Sequence, residues 1–362
     1  MGQFRVVTSN SARQEEIKDT GQNCPECNSP VVPGSDHCYK CGCFFDPSGR
    51  ALKPGEVTDD MIENIIMLSS KTAAEYDKDP GTVKSKQIMK YGVAGLAIGV
   101  ALSFFGSLVL GLILMLGSVF FMVHMSGKVA KPIPRQIIYG GHLDAMASKY
   151  IVPEVLDKVF DKVEEYDPSG HFSFEDADYS HLVYKDYCVR DGNHYVKGIY
   201  KGKPVEFSNI RFEDYSTDEE GKRHYKTIFH GIWLGMDLGI PLGEELRITK
   251  KSLGYSMKNS IKTEHEKFNK RYFVSCKDQA AAFTFLTPQV MEAIIKMDDI
   301  SGGQTSIFVS KEGYIQVAAN NSKDVLRSLD LEEPLMRIRE RMEEEVRTIM
   351  LIPDTLSCIY KD

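Results

Sequence analysis

Two Cys-x-x-Cys pairs near the start of the chain are the residues best suited to chemistry. Cys24 and Cys27 form the first pair, Cys38 and Cys41 form the second, and ten residues separate the two pairs. Each pair can fold as a tight knuckle that presents two thiolates. Four thiolates satisfy the tetrahedral coordination of Zn²⁺ in structural sites. The spacing therefore predicts a structural zinc site with these four cysteines as ligands.

The residues beside the pairs are consistent with this site. Asn28 and Gly42 follow the second cysteine of each pair, and both residue types tolerate the left-handed backbone that a knuckle needs. Cys43 is left as a fifth thiol outside the ligand set, and His37 is a ligand that four thiolates do not need. Because four thiolates close the coordination sphere, the metal would have no open position for catalysis.

Two other uses of these cysteines are weaker. A disulfide framework needs an oxidising compartment, and residues 1–20 are polar and do not predict a signal peptide. A redox dithiol usually begins a helix in a βαβ unit, and the surrounding sequence does not predict such a unit. Residues 21–46 resemble the small bacterial zinc-ribbon modules of the form CPxCG…FCxxCG. A segment this short lacks a core of its own, so zinc would supply its folding free energy.

A stretch of 37 residues without a charged side chain lies between Lys90 and Lys128. An apolar run of about 18 residues or more predicts a transmembrane helix. As one helix this stretch would measure about 55 Å, against a hydrocarbon core of about 30 Å. Two short helices, residues 88–105 and 108–125 with a turn at Gly106 and Ser107, fit better. One long or tilted helix is the alternative.

The charges beside this stretch favour the hairpin. Positive residues flank both of its ends, and they are Lys84, Lys86, Lys90, Lys128, Lys131 and Arg135. Positive residues mark the cytoplasmic side of a membrane protein, so we expect a multi-pass inner-membrane protein with both termini in the cytoplasm. Gly95 and Gly99 form a small-xxx-small pair, which could pack the two helices together or join two chains as a homo-oligomer.

These features divide the chain into five predicted segments. They are a polar tail (1–20), a zinc ribbon (21–46), a linker with an amphipathic helix (47–87), a transmembrane hairpin (88–127) and a cytoplasmic α+β domain (128–362). The amphipathic helix is predicted to follow Thr58, with Met61, Ile65, Ile66 and Leu68 on its apolar face.

The C-terminal domain shows mixed helix and strand patterns. Helices are predicted over 135–149, 153–163, 260–268 and 288–297, with a closing helix around 335–349. Strands are predicted over 195–200, 204–212, 225–235, 246–249, 272–275, 306–309 and 314–318. Ser173 and Thr287 are predicted helix caps, Trp233 is a predicted core residue, and the charged face of the closing helix is predicted to be solvated. Successive hairpins predict an α+β fold with an antiparallel sheet.

The C-terminal domain also resembles a known family. Over most of residues 135–352 it is similar to a bacterial membrane-anchored domain-of-unknown-function family (family 3137). The resemblance rests on YDPSGHFSFEDADYS (166–180), YVKGIYKGKPVEFSNI (195–210), FHGIWLGMDL (229–238) and YFVSCKDQAAAFTFLTPQVMEAI (272–294). It implies a membrane hairpin ahead of an α+β domain, and it implies no activity. The zinc ribbon is an addition to the family pattern.

The remaining residues favour binding over catalysis. A net charge of −7 disfavours nucleic-acid binding. No P-loop, G-x-S-x-G or HExxH motif is present. The acid–histidine pairs at His142–Asp144 and around His265 are interpreted as surface charge. The thiols of Cys188, Cys276 and Cys358 are predicted to be buried. We expect a non-enzymatic module that binds a protein or peptide partner; a membrane-tethered hydrolase is the alternative.

Overall fold

The computed structural model describes residues 23–31, 35–38, 40–78, 80–105, 108–126, 135–183, 186–218, 221–237, 239, 241–251, 260–302, 304–326 and 333–356. The chain divides into two compact units, residues 1–146 with 328–335 and residues 147–327 with 336–362. The α-helices of the described residues are α1 (Asp59–Lys78), α2 (Pro80–Phe105), α3 (Leu108–Ser126), α4 (Arg135–Tyr150), α5 (Val152–Val159), α6 (Phe174–Ser180), α7 (Glu266–Arg271), α8 (Gln279–Phe285), α9 (Pro288–Ile300) and α10 (Leu335–Leu356).

The second unit is built on one antiparallel sheet. Its strands in the described residues are β1 (Lys162–Asp167), β2 (Val189–Tyr200), β3 (Lys203–Thr217), β4 (Arg223–Asp237), β5 (Leu246–Lys250), β6 (Tyr272–Cys276), β7 (Thr305–Val309) and β8 (Tyr314–Asn320). They lie in the order β1-β2-β3-β4-β8-β7-β5-β6, with antiparallel pairing throughout. The predicted antiparallel sheet with helices is confirmed.

Tight turns set the register of the long strands. Lys201 and Gly202 connect β2 to β3, with φ of 49° and 74°. Two successive left-handed residues form the two-residue turn whose twist matches that of paired strands. The β2–β3 ladder then runs from Tyr200↔Lys203 to Val189↔Glu213. The sequence predicted this hairpin, and the structure extends both strands beyond the predicted limits.

Trp233 lies at the centre of the core on one face of the sheet. It is 0% exposed, and its Nε1 donates to Gln316 Oε1 at 3.1 Å. Phe212 and Phe229 contact it edge-on, with ring centroids at 6.1 and 5.4 Å. The other buried members of this cluster are Phe172, Ala177, Leu182, Ile210, Phe308 and Ala318. The prediction that the single tryptophan fills the core is confirmed.

Helix caps follow the sequence closely. Ser173 Oγ accepts from Asp176 N at the start of α6, and Thr287 Oγ1 accepts from Val290 N at the start of α9. The apolar face of α10 is buried, and its predicted members are Leu335, Ile338, Met342, Val346 and Ile349. Its charged face differs from the prediction at Arg339, because that side chain is only 16% exposed and pairs with Glu154 at 3.0 Å.

Two predicted helices of the second unit differ from the structure, and one observed helix was not predicted. The helix predicted over 153–163 ends at Val159, and β1 begins at Lys162 because this segment pairs with β2. The helix predicted over 260–268 is helical only from Glu266. Before it, Ile261 N donates to Val274 O and Ser260 Oγ accepts from Val274 N, so this segment lies along the edge of β6. Helix α8 was not predicted.

Helices α2 and α3 pack as an antiparallel hairpin. An added Cβ at Gly95 would meet Ser118 Oγ, and one at Gly111 would lie 2.6 Å from Gly99 O. These glycines therefore allow close contact between the two helices of one chain, and association of two chains through glycines stays a prediction. The turn at residues 106–107 lies outside the described residues.

One helix of the hairpin passes a membrane-span test on length and composition. Within the described residues, Gln87–Phe104 of α2 is long and apolar enough to cross a bilayer, and Val109–Met122 of α3 is a shorter apolar stretch. Upstream, α1 buries Ile62, Ile65 and Ile66, whereas Leu68 is exposed, contrary to its predicted place on the apolar face.

Candidate metal centre

The four predicted ligands converge. The Sγ atoms of Cys24, Cys27, Cys38 and Cys41 all lie within 4.8 Å of one another. Cys24 Sγ is 3.5 Å from Cys41 Sγ, and Cys27 Sγ is 3.7 Å from Cys38 Sγ. Sulfur atoms bound to a tetrahedral zinc at about 2.3 Å lie a little under 4 Å apart. These four cysteines can therefore hold one metal ion.

Both pairs are presented by the same backbone turn. Asn28 N donates to Cys24 O, and Gly42 N donates to Cys38 O, each at 2.8 Å. Asn28 and Gly42 have φ of 54° and 68°, as their residue types predicted. The turn folds each Cys-x-x-Cys pair back on itself, so that both sulfur atoms of a pair point to one side.

The four thiols differ in their surroundings. Burial raises the pKa of Cys38 and of Cys41, although backbone hydrogen bonds oppose the shift. Burial also acts to raise the pKa of Cys27, but hydrogen bonds from Ser29 outweigh it and lower that pKa to about 6. Metal binding requires thiolates, so the thiolate of Cys27 forms more readily than that of Cys38 or Cys41.

Two neighbours of the ligands have defined places. His37 is buried; its Nδ1 lies 2.9 Å from Asp36 Oδ1, and its ring contacts that of Phe44. Cys43 is fully buried, and its Sγ lies 3.3 Å from Cys24 Sγ. The sequence identified Cys43 only as a spare thiol. Its short spacing from Cys41 was a signal that it would lie near the ligands.

Two histidines outside this centre contact acidic groups far along the chain. His265 Nε2 lies 2.7 Å from Glu292 Oε1, while its Nδ1 accepts from Phe268 N and caps α7. His230 Nε2 lies 2.7 Å from Asp324 Oδ1. The neighbours of His265 in sequence are therefore not its partners. The side chain of His142 lies outside the described part of the chain.

The thiols of the second unit depart from the prediction of burial. Cys188 is exposed, and its Sγ donates to Asp214 Oδ1 at 3.3 Å. Cys276 is half-buried, and burial raises its pKa. The exposure of Cys188 follows from its position just before β2, where its backbone N–H joins the ladder while the side chain points outward. Cys358 lies outside the described residues.

A groove of about 530 Å³ lies between α7 and α9. Charged side chains of both helices line it, together with Ile295 and Ile300. Its acids are engaged within the chain, since Arg271 Nη1 lies 2.6 Å from Asp299 Oδ1 and Glu292 contacts His265. Behind it, fully buried Asp298 pairs with Lys250 and accepts from Thr305 N. These contacts tie the two helices to the sheet.

Comparison with known proteins extends this description. No curated protein matches the chain. A solved structure, the crystal structure of the mycobacterial trehalose monomycolate transport factor A, is similar at 11% identity and a TM-score of 0.30. The match covers 59% of this chain and 96% of that one. At this TM-score the likeness supports no statement about fold or function.

A family model gives the firmer result. It matches residues 227–357, from within β4 to one residue past α10, and its description is "Protein of unknown function (DUF3137)". Two of the segments on which the sequence resemblance rested, 166–180 and 195–210, lie ahead of this match. This match supports the DUF3137 family, a family of unknown function, for residues 227–357 of the chain.

Proposed function

We propose that α2 and α3 cross the inner membrane as a hairpin and anchor the chain there. The observation that carries the proposal is the apolar surface that both helices expose. Phe104, Leu116 and Phe120 are 81%, 67% and 70% exposed. Further exposed apolar side chains on α2 and α3 are Met89, Val93, Ile98, Val109, Leu110 and Ile113. Such a surface is costly in water and is solvated well by lipid tails.

The dimensions of both helices support this anchor. Helix α3 has 19 residues, about 28 Å long, and the apolar part of α2 has 18 residues, about 27 Å. Both lengths match a hydrocarbon core of about 30 Å. Ser103 and Ser118 donate their hydroxyl hydrogens to carbonyls of their own helices, Gly99 O and Leu114 O. These polar atoms therefore need no water.

The anchor is tested by its topology. The positive residues at both ends of the hairpin favour a cytoplasmic location for both flanks. Reporter fusions after Lys131 and at the C-terminal end should give cytoplasmic signals, and a fusion after Gly106 should give a periplasmic one. A periplasmic signal from either of the first two fusions would rule out the hairpin.

We also propose that Cys24, Cys27, Cys38 and Cys41 bind a structural Zn²⁺. The convergence of four sulfur atoms on paired knuckles supports the proposal. The bound metal would join two turns whose segment has few other buried side chains. Purified full-length protein should contain one zinc per chain, Cys27→Ala should lose it, and Cys188→Ala should retain it. Iron in place of zinc, or no metal, would contradict the proposal.

We propose, finally, that the C-terminal domain binds an extended segment of a partner protein and is not an enzyme. Residues 214–217 and 223–226 form a two-stranded ribbon, because β2 reaches β3 no further than Glu213 and β8 meets β4 only from Gly231. Unpaired edges of this kind accept a further strand. On the ribbon, Tyr215 and Tyr225 are exposed, with ring centroids 6.0 Å apart.

Site-specific crosslinking tests this surface in intact cells. A photoreactive residue in place of Tyr225 should capture one defined protein. The same residue in place of Met336, which is exposed on α10, serves as the control and should not capture it. Identical products from both positions would contradict a binding surface on the ribbon. Turnover of a hydrolase substrate by the purified chain would contradict a non-enzymatic role.

A further inference from the structure

Cys43 contacts the metal centre without belonging to its ligand set. Its side chain is 0% exposed, and its Sγ lies 3.3 Å from Cys24 Sγ, closer than the 3.5 Å that separates Cys24 from Cys41. Its carbonyl accepts from Cys38 N at 2.8 Å, which ties it to the second knuckle. Cys43 therefore touches a ligand of the first pair while its backbone belongs to the second.

A centre of four thiolates and one divalent cation carries two net negative charges. Charge in a buried site must be offset by hydrogen-bond donors. The structure supplies a donor to three of the sulfur atoms: Lys40 N to Cys38, Ser29 to Cys27, and the backbone N–H of Cys43 to Cys41. Each donor lies in the same knuckle as the ligand that it serves or next to it.

Cys24 is the fourth ligand, and it is only 1% exposed, so bulk water has little access to its sulfur. The structure places the thiol of Cys43 against it at 3.3 Å, a contact in which either sulfur can donate. A thiol is a weak donor in water, but its hydrogen bond strengthens when the acceptor is charged and the site is dry. Cys43 can thus serve Cys24 through its side chain and Cys41 through its backbone.

We propose that Cys43 is a positioning residue of the metal centre, whose S–H donates to the thiolate of Cys24 and holds the two knuckles in register. The inference rests on the proposed metal function of the four cysteines. Groups that orient metal ligands in this way typically change metal affinity about 10- to 100-fold. The thiol of Cys43 thus strengthens metal binding while remaining uncoordinated.

The first test measures metal affinity in the purified full-length chain by competition with a chelator. Cys43→Ala removes the donor, Cys43→Val removes it but keeps most of the side-chain volume, and Cys43→Ser keeps a donor. Both Ala and Val variants should bind zinc about 10- to 100-fold more weakly, and Ser should restore most of the affinity. Unchanged affinity in Val would overturn the inference, and so would a Ser variant as weak as Ala.

The second test separates a positioning role from coordination by using Co²⁺ as a spectroscopic probe. The sulfur-to-cobalt charge-transfer absorption reports the number of bound thiolates. Cys43→Ala should keep the four-thiolate spectrum, and Cys24→Ser should lose about a quarter of the absorption, since one of four thiolates is removed. A loss of about a quarter of this absorption in Cys43→Ala would show that Cys43 coordinates the metal in the wild-type chain and would overturn the inference.

The same experiments distinguish this inference from the metal proposal beneath it. A wild-type chain that binds neither zinc nor cobalt would remove both. A wild-type chain that binds the metal tightly, with Cys43→Ala and Cys43→Val equally tight, would remove only the role of Cys43. Cys188→Ala, an exposed thiol in the other unit, is the matched control and should bind as the wild type does.

Discussion

The cysteine module and the sheet domain achieve order by different means. Among the described residues between 23 and 52, few side chains are buried, and most of them are cysteines of the metal centre or their neighbours, with Phe44 and Phe45 beside them. The sheet domain instead buries apolar side chains on both faces of its central strands, such as Trp233 and Leu234 on β4. A small segment lacks the apolar area to offset its chain entropy, whereas the domain has enough.

The largest expected effect comes from removing the metal. Zinc binding to sites of this kind contributes on the order of 10 kcal/mol to folding, so a strong chelator should unfold residues 23–52. Hydrogen exchange of peptides from this segment should accelerate, while peptides from β4 should not change. Equal protection of residues 23–52 with and without chelator would show that this segment folds by its apolar contacts. The difference drawn here between the cysteine module and the sheet domain would then be wrong.

In the sheet domain the comparable change is the loss of one aromatic ring. Phe212→Ala should destabilise the domain by about 3–5 kcal/mol, because Phe212 is fully buried against Trp233. Urea unfolding followed by the fluorescence of Trp233, the single tryptophan, measures this. Tyr215→Ala, in the exposed end of the same strand, is the control and should cost less than about 1 kcal/mol.

Removal of a buried charge in the same domain should lower the free energy of unfolding by a similar amount. Asp298→Ala leaves the mostly buried ammonium of Lys250 without its partner and should cost about 3–5 kcal/mol. Its exposed neighbour Asp299, which contacts Arg271, is the matched control, and Asp299→Ala should cost about 1 kcal/mol or less. Urea midpoints measure both, and equal shifts would mean that the burial of Asp298 is unimportant.

The packing of α2 against α3 should be destabilised by an added side-chain atom at the close contact between the two helices. Gly111→Ala puts a Cβ within 2.6 Å of Gly99 O and should destabilise the α2–α3 contact by about 1–3 kcal/mol. Gly117→Ala on the same helix meets open space and should have little effect. Hydrogen exchange of both helices in detergent compares the two, and equal behaviour would contradict the packing of the hairpin.

The smallest effect tests a local feature of the sheet domain. Thr287→Ala removes the cap of α9 and should cost about 1 kcal/mol, measured by the urea midpoint. Thr284→Ala is the control, because that hydroxyl donates only to Ala280 O within α8. If Thr284→Ala is as costly, the loss reflects helix propensity or packing and not the cap.

Features that depend on neighbours in sequence could be predicted. The knuckle turns follow from Asn28 and Gly42, and the helix starts follow from Ser173 and Thr287, because each is settled by hydrogen bonds within a few residues. Predictions of secondary structure were wrong where pairing with a strand distant in the sequence determines the conformation. Residues 162–163 continue a helical pattern, but pairing with β2 takes them into β1.

The candidate metal centre shows the same limit within one site. The spacing of the cysteines was sufficient to select four ligands, since two residues of a Cys-x-x-Cys pair must share a knuckle. It was not sufficient to place Cys43 against Cys24, which lies 19 residues earlier. The prediction that Cys188 is buried was wrong for a similar reason, because apolar neighbours in sequence do not show which side of a strand end faces solvent.

By itself, the sequence determined the local chemistry of this protein: two thiol pairs, an uncharged apolar stretch long enough for two helices, and hairpins that build an antiparallel sheet. These depend on spacing and periodicity, which short segments carry. Only the tertiary structure decided the strand order, the burial of Asp298 beside Lys250 and the contact of a fifth sulfur with the ligands. Such contacts join residues far apart in the chain, and their free energy depends on the whole packed domain.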